Sequence, residues 1–318
     1  MSHLTGNSKS SIPLVIVLLG ATGVGKSSLI EKFSDRFSAC RIEIINADSR
    51  QVYRFLDIGT AKPSQQVRAK LPHHLVDIIN PDIQFTVADF VEKAENLVSR
   101  SFDNGKISLV VGGSAFYLWS LVNGLSETPP ADLVVRGKLL EQAETKGIEF
   151  LHDQLKDCDP ITASMVPKTN KHRIIRALEV YKLSGKPLSE FKVNKTMRRD
   201  FLIKIIGIRR DREQLYSRIN RRVDQMFIEG LSEEVKILQD KGWTSEMPGL
   251  QSIGYSEFFV LKGRSENEIK DLIKRNSRRY AKRQLTFFQR FVDVVWLEAS
   301  SGEAIIVEIE KIIERYTN

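Results

Sequence analysis

The sequence predicts an α/β fold in which a parallel sheet is flanked by helices and joined by a small all-helical insertion. Three observations lead to this prediction. Short apolar runs alternate with helical periods up to about residue 125. From 131 to 183 only helical periodicity is present, after Thr128, Pro129 and Pro130 interrupt the alternation. Beyond that stretch a strand-like segment and long helices with marked caps return.

The first elements are defined by apolar runs and by the residues that stop them. A helix is predicted over 28–37, and the capping box of Thr86 and Asp89 begins another helix that ends at Gly105. Strands are predicted at 14–19, 41–46, 107–111 and 201–208. Apolar strands separated by helices are typical of a parallel sheet whose two faces are both covered.

The later helices carry side-chain caps and glycine stops. The signals are Asn170 with Gly185, Asp211 with Gly230, and the capping box of Ser265 and Glu268. Tyr280 and Gln284 fall on the apolar side of the last of these helices. We therefore expect both side chains to lie on its packed face.

Length and composition determine the class of protein and the number of domains. A chain of 318 residues, 42% apolar and 28% charged, folds around a large core and divides into about two domains. We expect the first part of the core at 1–126, a helical insertion domain at 127–195 and the second part of the core, with basic helices, at 196–318. Disordered and fibrous classes are excluded.

Positive charge is concentrated in two segments. Lys and Arg exceed Asp and Glu by 12 between 166 and 222, although the net charge of the whole chain is only +8. A second segment, 270–290, has eight Lys and Arg and one acidic residue. Such segments either cover solvated helix faces or bind phosphate-rich partners such as nucleic acid.

Cysteine content and hydropathy predict the cellular compartment of the protein. Cys40 and Cys158 are too few for a disulfide framework and have no zinc-ligand spacing, so we expect reduced thiols. The apolar run 12–19 is about a third of the length of a membrane-spanning helix, and a glycine loop follows it instead of a cleavage site. These features predict a cytoplasmic protein with no membrane partner.

The first strand leads into a phosphate-binding motif. The run Gly20-Ala21-Thr22-Gly23-Val24-Gly25-Lys26-Ser27 matches GxxxxGK[ST] and lies between a predicted strand and a predicted helix. Backbone N–H groups of such a loop surround phosphate oxygens, Lys26 reaches the phosphates, and the Ser27 hydroxyl binds Mg²⁺. The sequence therefore predicts a P-loop NTPase-like core that binds a diphosphate or triphosphate.

In a nucleotide hydrolase, a strand of the sheet normally ends in an Asp that holds Mg²⁺ through water, and this sequence has its acidic residue after a different strand. The strand 107–111 runs into Gly112 and Gly113 without an Asp, whereas Asp48 follows the second strand. The carboxyl ends of neighbouring parallel strands open into one crevice, so Asp48 should lie near the P-loop. There it could bind metal through water, hold a hydroxyl, accept a proton or cap the next element.

A series of motifs resembles one family. In order along about residues 14 to 297 they are the P-loop, Ala47-Asp48-Ser49-x-Gln51-Val52-Tyr53, Asp57-Ile58-Gly59-Thr60-Ala61-Lys62-Pro63, His73-His74-Leu75-x-Asp77, Gly112-Gly113-Ser114-x-x-Tyr117, Arg173-Ile174-Ile175-Arg176-Ala177-Leu178-Glu179-Val180 and Tyr280-Ala281-Lys282-Arg283-Gln284-Leu285-Thr286. The chain is similar in these motifs to the bacterial tRNA dimethylallyltransferases.

The resemblance implies a reaction and a set of tRNA contacts. Members of the family transfer the prenyl group of dimethylallyl diphosphate to N6 of the adenosine just 3′ of the anticodon, in tRNAs that read codons beginning with U. It implies that Asp48 is the general base. The contacts to tRNA that it implies are Asp48, Ser49, Arg50, Gln51, Ser114, Arg136, His172, Arg173, Ile174, Ile175 and Arg176. The family usually has threonine and glycine at 114 and 115, and because Ser114 keeps the hydroxyl we expect its contact to survive. Glutamine is usual at 172, so the resemblance does not carry the hydrogen bond of that position over to His172.

The chemistry of the two substrates predicts how the site would work. An allylic diphosphate ionises once its charge is neutralised, so we expect Lys26, the loop amides, Mg²⁺ on Ser27 and Arg218 or Arg222 to bind the diphosphate. Asp48 would accept the N6 proton after the base leaves its stack in the anticodon stem-loop. We expect a monomer that binds this stem-loop of tRNA and dimethylallyl diphosphate.

Two other functions are consistent with parts of the sequence. A P-loop kinase of small molecules or nucleotides would use Lys26 on ATP and Asp48 on an acceptor hydroxyl. A non-catalytic RNA-binding protein would account for the basic segments but not for Lys26 and Ser27 beside Asp48. The pair His73 and His74 could be read as metal ligands, although loop packing is the interpretation favoured by the lack of a third ligand nearby.

Overall fold

The chain forms two units. The computed structural model describes residues 12–191 and 197–317. One unit, the core unit, is drawn from 1–122 and 198–318, and the other, the helical unit, from 123–197. The predicted insertion at 127–195 falls within the range of the helical unit. Residues 1–11, 192–196 and 318 of the three predicted domains lie outside the described residues.

The core unit contains a parallel sheet. Within the described residues six strands form it in the order β3-β2-β4-β1-β5-β6, and every neighbouring pair is parallel. The strands are β1 (Leu14–Leu19), β2 (Ile42–Ala47), β3 (His73–His74), β4 (Ile107–Gly112), β5 (Leu202–Arg209) and β6 (Val294–Glu298). The predicted α/β class is confirmed, and the two edge strands, β3 and β6, are additions that sequence patterning did not predict.

Helices cover the sheet and make up the helical unit. They are α1 (Lys26–Lys32), α2 (Ser34–Ala39), α3 (Gln65–Lys70), α4 (Val87–Asp103), α5 (Ala115–Asn123), α6 (Leu133–Lys146), α7 (Ile148–Cys158), α8 (Pro160–Met165), α9 (Lys171–Ser184), α10 (Arg212–Ile228), α11 (Leu231–Asp240), α12 (Ser256–Val260), α13 (Glu266–Phe288) and α14 (Gly302–Thr317). The helical unit contains α6 to α9 and, in its described part, no strand. The predicted all-helical insertion is thereby confirmed.

Capping residues set the helix boundaries as expected, with one exception. Both predicted capping boxes are present, at Thr86 and at Ser265, and Asn170 and Asp211 accept backbone N–H bonds at the starts of α9 and α10. The helix predicted over 28–37 is interrupted at Phe33, where one helix ends and the next begins. Hydrophobic periodicity alone did not reveal this break.

The strand register sets the position of the site. Leu19 and Ala47 are both paired in register with Gly112, the last residue of β4. Gly20 and Asp48 therefore leave the sheet at the same carboxyl edge, as the crevice rule for open α/β sheets predicts. A Cβ atom on Gly112 would lie 2.0 Å from the carbonyl oxygen of Ala47, so this close approach of β2 to β4 requires glycine.

Each unit has its own apolar core. In the core unit the six residues of β1 are all buried, and Ile16 and Leu18 pack in a cluster that also includes Ile309 of α14. The core of the helical unit includes Leu151 and Ile174. Among residues 12–191 and 197–317, none of the helices combines the length and the apolar character that crossing a bilayer requires.

Candidate active site

The P-loop, Gly20 to Ser27, connects β1 to α1 and packs against α10. Gly23 and Gly25 have φ values of 77° and 120°, a region that residues with a Cβ atom rarely adopt. A Cβ atom on Gly23 would also lie 2.7 Å from Cγ1 of Ile219 on α10. The glycines are therefore required both by the turn and by the packing of the loop.

Lys26 is directed back into its own loop. Its Nζ donates hydrogen bonds to the carbonyl oxygens of Gly20 at 2.6 Å and Ala21 at 3.1 Å. Burial lowers the pKa of Lys26 to about 8, the nearby Asp48 carboxylate partly opposes this effect, and Arg222 adds to it. An ammonium group placed in this way gains favourable charge interactions when an anion enters the loop.

Three arginines approach the loop from the segment after β5. Arg218 donates from Nε to the carbonyl oxygen of Gly23 at 3.1 Å, and Arg210 donates from Nε to that of Val24 at 3.4 Å. Burial and the neighbouring Arg218 both lower the pKa of Arg210. Arg218 was predicted from its place on the capped helix; Arg210, which precedes the cap, was not.

Arg222 connects two loops at the site. Its guanidinium donates to Oγ1 of Thr22 and to the carbonyl oxygen of Thr60, both at 3.2 Å. The Nε atom of Arg222 is buried and has no hydrogen-bond partner among the described residues. Burial lowers the pKa of this guanidinium, although the Asp48 charge opposes the shift. A buried donor without a partner favours a ligand that supplies an acceptor.

Asp48 begins the loop after β2, next to the P-loop. Its Oδ1 accepts the backbone N–H of Arg50 at 2.9 Å, which is the local capping role anticipated as the alternative to catalysis. Only one carboxylate oxygen is used in this bond, and Asp48 also lines two cavities with Thr22, Arg222 and Tyr280. The two roles are compatible.

The residues that follow Asp48 have separate partners. The Ser49 N–H donates to the buried Ser114 hydroxyl at 2.8 Å, so the structure brings these two predicted residues together. Arg50 donates to the carbonyl oxygen of Pro248 at 3.1 Å. The amide nitrogen of Gln51 donates to the carbonyl oxygen of Thr60 at 3.1 Å, which directs that amide towards the protein.

Two adjoining cavities meet at Asp48. The cation-lined cavity, of about 410 Å³, is bounded by the P-loop with Lys26 and Ser27 and by Arg218 and Arg222. The apolar-walled cavity, of about 360 Å³, has Ile219, Val223, Met226, Ile253 and Ile273 in its wall. A smaller hollow of about 270 Å³ contains Ser114, Phe116, Tyr280 and Phe287. Asp48 therefore lies between a site for an anion and a cavity with one apolar wall, which Arg50, Arg222 and Arg283 also line.

Tyr280 and Gln284, on the same face of α13, are site residues that were predicted only as part of a packed stripe and of the motif Tyr280 to Thr286, without a role at the site. Tyr280 borders all three cavities, and burial, together with the Asp48 charge, raises its pKa to about 12. Gln284 is 3% exposed and contacts the P-loop. The sequence signal that could have identified them as site residues is the presence of two polar side chains on an otherwise apolar face of the helix.

The motif from Asp57 to Lys62 forms a wall of the site, held from α11. Glu234 accepts the backbone N–H of Ile58 at 3.0 Å and the hydroxyl of Tyr255 at 2.6 Å. The Tyr255 hydroxyl oxygen accepts the N–H of Gly59, and a Cβ atom on Gly59 would lie 2.4 Å from the Tyr255 ring. This fixes Gly59 and Thr60 where they line the apolar-walled cavity.

The residues predicted to touch tRNA in the helical unit differ in their availability. His172 and Arg173 are exposed on the first turn of α9. Ile174 and Ile175 are buried in the core of this unit, so their side chains are not available to RNA. The exposed pair is therefore the part of this segment that can contact a ligand through side chains.

Arg136 and Arg176 are both engaged within the helical unit. Each donates to Oε2 of the buried Glu179 at 2.8 Å, and Arg176 also donates to the carbonyl oxygen of Pro129 at 2.6 Å. Burial alone would raise the pKa of Glu179, but these guanidinium bonds outweigh it and hold the pKa below its ordinary value. Both arginines thus have a structural role.

The described residues contain no group of three His, Cys, Asp or Glu side chains arranged to hold a metal. His73 and His74 form the edge strand β3 and not a loop; His74 pairs with the Glu43 carboxylate at 3.2 Å, and His73 contacts the carbonyl oxygen of Leu71, so both side chains have structural partners. Any Mg²⁺ at the P-loop would depend on the Ser27 hydroxyl and on oxygens of the ligand itself. Such a ligand set is usual for Mg²⁺.

Known proteins match this chain over most of its length. A family model described as IPP transferase matches residues 51–291. This chain belongs to the IPP transferase family. Among its relatives, the tRNA dimethylallyltransferase of Geobacter sulfurreducens is 40% identical, covering 92% of this chain and 94% of that protein. The tRNA dimethylallyltransferase of Alkaliphilus oremlandii is 38% identical, covering 91% and 93%.

Solved structures agree with the family assignment. The tRNA isopentenylpyrophosphate transferase of Bacillus halodurans has a TM-score of 0.68 at 35% identity, covering 96% of this chain and 98% of that chain. A eukaryotic dimethylallyltransferase acting on tRNA has a TM-score of 0.74 at 29% identity, covering 90% and 74%. The family predicted from the sequence motifs is confirmed. These relatives are named as dimethylallyltransferases or isopentenylpyrophosphate transferases of tRNA, which favours prenyl transfer over the kinase and RNA-binding alternatives.

Proposed function

We propose that this chain transfers the dimethylallyl group of dimethylallyl diphosphate to N6 of the adenosine 3′-adjacent to the anticodon, in tRNAs that read codons beginning with U. The observation that carries the proposal is the position of Asp48 where the cation-lined and apolar-walled cavities meet. A donor with a diphosphate at one end and a five-carbon apolar group at the other fits this pair of cavities.

The diphosphate of the donor would occupy the cation-lined cavity. Lys26, Arg218 and Arg222 line it together with the P-loop, and Arg222 Nε is a buried donor that has no partner within residues 12–191 and 197–317. These groups neutralise the negative charge that grows on diphosphate as the allylic C–O bond breaks, which lowers the barrier most effectively where water is scarce. Mg²⁺, held by the Ser27 hydroxyl and diphosphate oxygens, would supply further positive charge.

The dimethylallyl group would lie against the apolar wall formed by α10 and α13. Ile219, Val223 and Met226 come from α10, and Ile273 comes from α13. Burying a group of five carbons there contributes several kcal/mol of favourable transfer free energy, at about 0.8 kcal/mol per buried methylene. The wall would also keep water from the allylic cation as it forms.

The chemical step joins the two substrates at Asp48. The N6 lone pair of adenine forms the new C–N bond at C1 of the dimethylallyl group, and the bond from C1 to the diphosphate oxygen breaks with its electron pair. The proton released by N6 passes to the Asp48 carboxylate, whose Oδ1 remains bonded to the Arg50 N–H. The products are N6-prenylated tRNA and diphosphate.

The tRNA would present its anticodon stem-loop with the target adenosine removed from the stack. Ser49, Ser114 and Tyr280 lie beside Asp48 where an extruded base must enter. Exposed basic side chains, Arg173 among them, would neutralise backbone phosphates. The protein would act as a monomer.

A transfer assay tests this proposal against a kinase. Purified protein is incubated with Mg²⁺, tRNA that lacks the modification, and either dimethylallyl diphosphate labelled in the prenyl group or ATP labelled in the γ-phosphate. We expect label in tRNA from the prenyl donor alone, at the adenosine following the anticodon. Label transferred from ATP to any acceptor, or a failure of the prenyl label to enter tRNA, would contradict the proposal.

A further inference from the structure

Gln284 joins the two loops that border the cation-lined cavity. Its Oε1 accepts the backbone N–H of Thr22 in the P-loop at 2.9 Å, and its Nε2 donates to the carbonyl oxygen of Gly113 at 2.6 Å. Both partners are far away in sequence, and the Gln284 side chain is 3% exposed. A buried amide whose two ends are both satisfied by loop backbone holds these loops at a fixed separation.

Gly113 is shaped to receive this amide. A Cβ atom at Gly113 would lie 2.5 Å from Nε2 of Gln284, closer than real contacts allow. The backbone conformation of Gly113 does not require glycine, because no positive φ occurs there. The missing side chain is therefore explained by the approach of Gln284 and not by a turn.

Several of the other bonds that hold the P-loop involve groups that a diphosphate would take. Lys26 donates to the carbonyl oxygens of Gly20 and Ala21, and Arg222 donates to Oγ1 of Thr22. When these cations turn to a diphosphate, the loop loses part of this support. The bond from Thr22 to Gln284 uses no charged group and stays available while the anion is bound.

We propose that Gln284 is a positioning residue for prenyl transfer, which holds the opening turn of the P-loop in its diphosphate-binding shape from helix α13. This inference rests on the proposed function. Gln284 contacts loop backbone and acts through Thr22, so it is not a catalytic residue. Gln284 keeps the loop ordered before the diphosphate binds, so the free energy of binding is not reduced by the entropy lost in ordering the loop.

The direct test replaces the amide while keeping the length of the side chain. Gln284→Met removes both hydrogen bonds, and Gln289→Met, on the exposed residue that caps the same helix, is the matched control. We expect the Kd for dimethylallyl diphosphate, measured by calorimetry on the full chain, to rise about tenfold in Gln284→Met, a loss of about 1.4 kcal/mol, because the loop must then be ordered when the donor binds. The Kd for tRNA should stay near that of the wild type, whereas the melting temperature should fall by a few degrees because two buried backbone groups lose their partner, so both Kd values are measured below the onset of unfolding.

A second variant reaches the same contact from the other side. Gly113→Ala crowds Nε2 of Gln284, and Gly137→Ala is its control because nothing lies within 4 Å of the added carbon there. We expect Gly113→Ala to reproduce the rise in donor Kd, and Gly137→Ala to leave it unchanged. Donor Kd within twofold of the wild type in both Gln284→Met and Gly113→Ala would overturn the inference. Equal losses of donor and tRNA binding would also overturn it, because they indicate a general packing role.

Wild-type protein assayed in parallel separates this inference from the proposed function. If the wild type transfers no prenyl group to tRNA, the proposed function fails. If the wild type is active and Gln284→Met matches it in donor Kd and single-turnover rate, only the role of Gln284 is wrong.

Discussion

The P-loop cleft and the helical unit both concentrate arginine and lysine, but they use this charge in opposite ways. In the cleft, Lys26 and Arg222 donate to backbone carbonyls and a hydroxyl. In the helical unit, Arg136 and Arg176 form ion pairs with the buried Glu179. A cation bonded to neutral acceptors gains when an anion arrives, whereas a cation already paired with a carboxylate must first lose that partner.

The comparison shows why a basic segment in a sequence does not identify a binding surface. The segment 166–222 has an excess of 12 positive charges, yet it includes Arg176, which stabilises the fold, and Arg222, which faces a cavity. The distinction lies in the partner of each guanidinium.

Asp48→Asn should have the largest effect. Asparagine keeps the Oδ1 that accepts the Arg50 N–H, so the loop after β2 should keep its shape and the fold should lose little stability. The ability to accept a proton disappears. We expect the single-turnover rate to fall by about 10² to 10⁴, with the Kd values for tRNA and donor near normal.

Other roles for Asp48 would give different results in the same experiment. A carboxylate that holds metal would give a defect partly relieved by raising the Mg²⁺ concentration. A carboxylate that only caps the loop would leave the rate within a few fold of the wild type, and either result would remove Asp48 as the general base.

The second prediction tests the structural role of charge in the helical unit. Arg176→Met keeps the aliphatic stem but leaves Glu179 with Arg136 as its remaining cationic partner. We expect the free energy of unfolding to fall by about 2 to 3 kcal/mol, because a buried carboxylate loses a charged partner. Denaturant unfolding measures this change.

Arg173→Met is the control for this prediction. Arg173 lies on the same helix, three residues earlier, and is exposed. Its replacement should change the free energy of unfolding by less than about 0.5 kcal/mol. Equal losses from the two variants would mean that the pairing with Glu179 contributes nothing special to stability.

The sequence predicted those parts of the site that depend on neighbours along the chain. The P-loop follows from eight consecutive residues, and the position of Asp48 follows from the rule that parallel strands end at one edge. The capping boxes and the glycine stop at Gly185 are local as well. Physical reasoning from one sequence is strongest for such signals.

The parts that the sequence did not predict depend on contacts across the fold. Glu179 meets Arg136 from another helix, and Gln284 meets Thr22 although 262 residues separate them. Nothing in local periodicity tells which polar residue on a packed face will meet a partner. Ile174 and Ile175 belong to the apolar stripe that periodicity predicts for their helix, and both are buried, although the resemblance to the family placed them with the tRNA contacts.

The third prediction concerns the pH dependence of donor binding in the cleft. The pKa of Lys26 lies at about 8 in the free protein, and a bound diphosphate would raise it. Below this pH, Lys26 is protonated in both the free and the donor-bound protein, so it adds no pH dependence to the affinity for the donor. Above it, binding must take up a proton, so the affinity for dimethylallyl diphosphate should fall about tenfold per pH unit.

Calorimetry without tRNA, in buffers that differ in ionisation enthalpy, measures this proton uptake directly. We expect uptake to rise from near zero at about pH 7 towards one proton at about pH 9.5. Lys26→Arg should abolish this dependence, since a guanidinium stays charged throughout the range. Constant affinity and no uptake in the wild type would mean that the ammonium is not perturbed.

The fourth prediction has the smallest effect and tests whether the exposed charges of α9 bind RNA. If Arg173 neutralises one tRNA phosphate, Arg173→Ala should flatten the slope of log affinity against log salt by about 0.7 to 0.9. Lys182→Ala, an exposed lysine in the last turn of the same helix, changes the net charge equally and should leave the slope unchanged. Binding of unmodified tRNA across a series of salt concentrations measures both slopes.

Equal flattening in the two variants would mean that tRNA responds to the overall charge of this helix and not to a contact at Arg173. An unchanged slope in both would mean that the exposed charges of α9 are only solvated. The basic residues tested on this helix would then all differ from the cations of the cleft, which face a binding cavity.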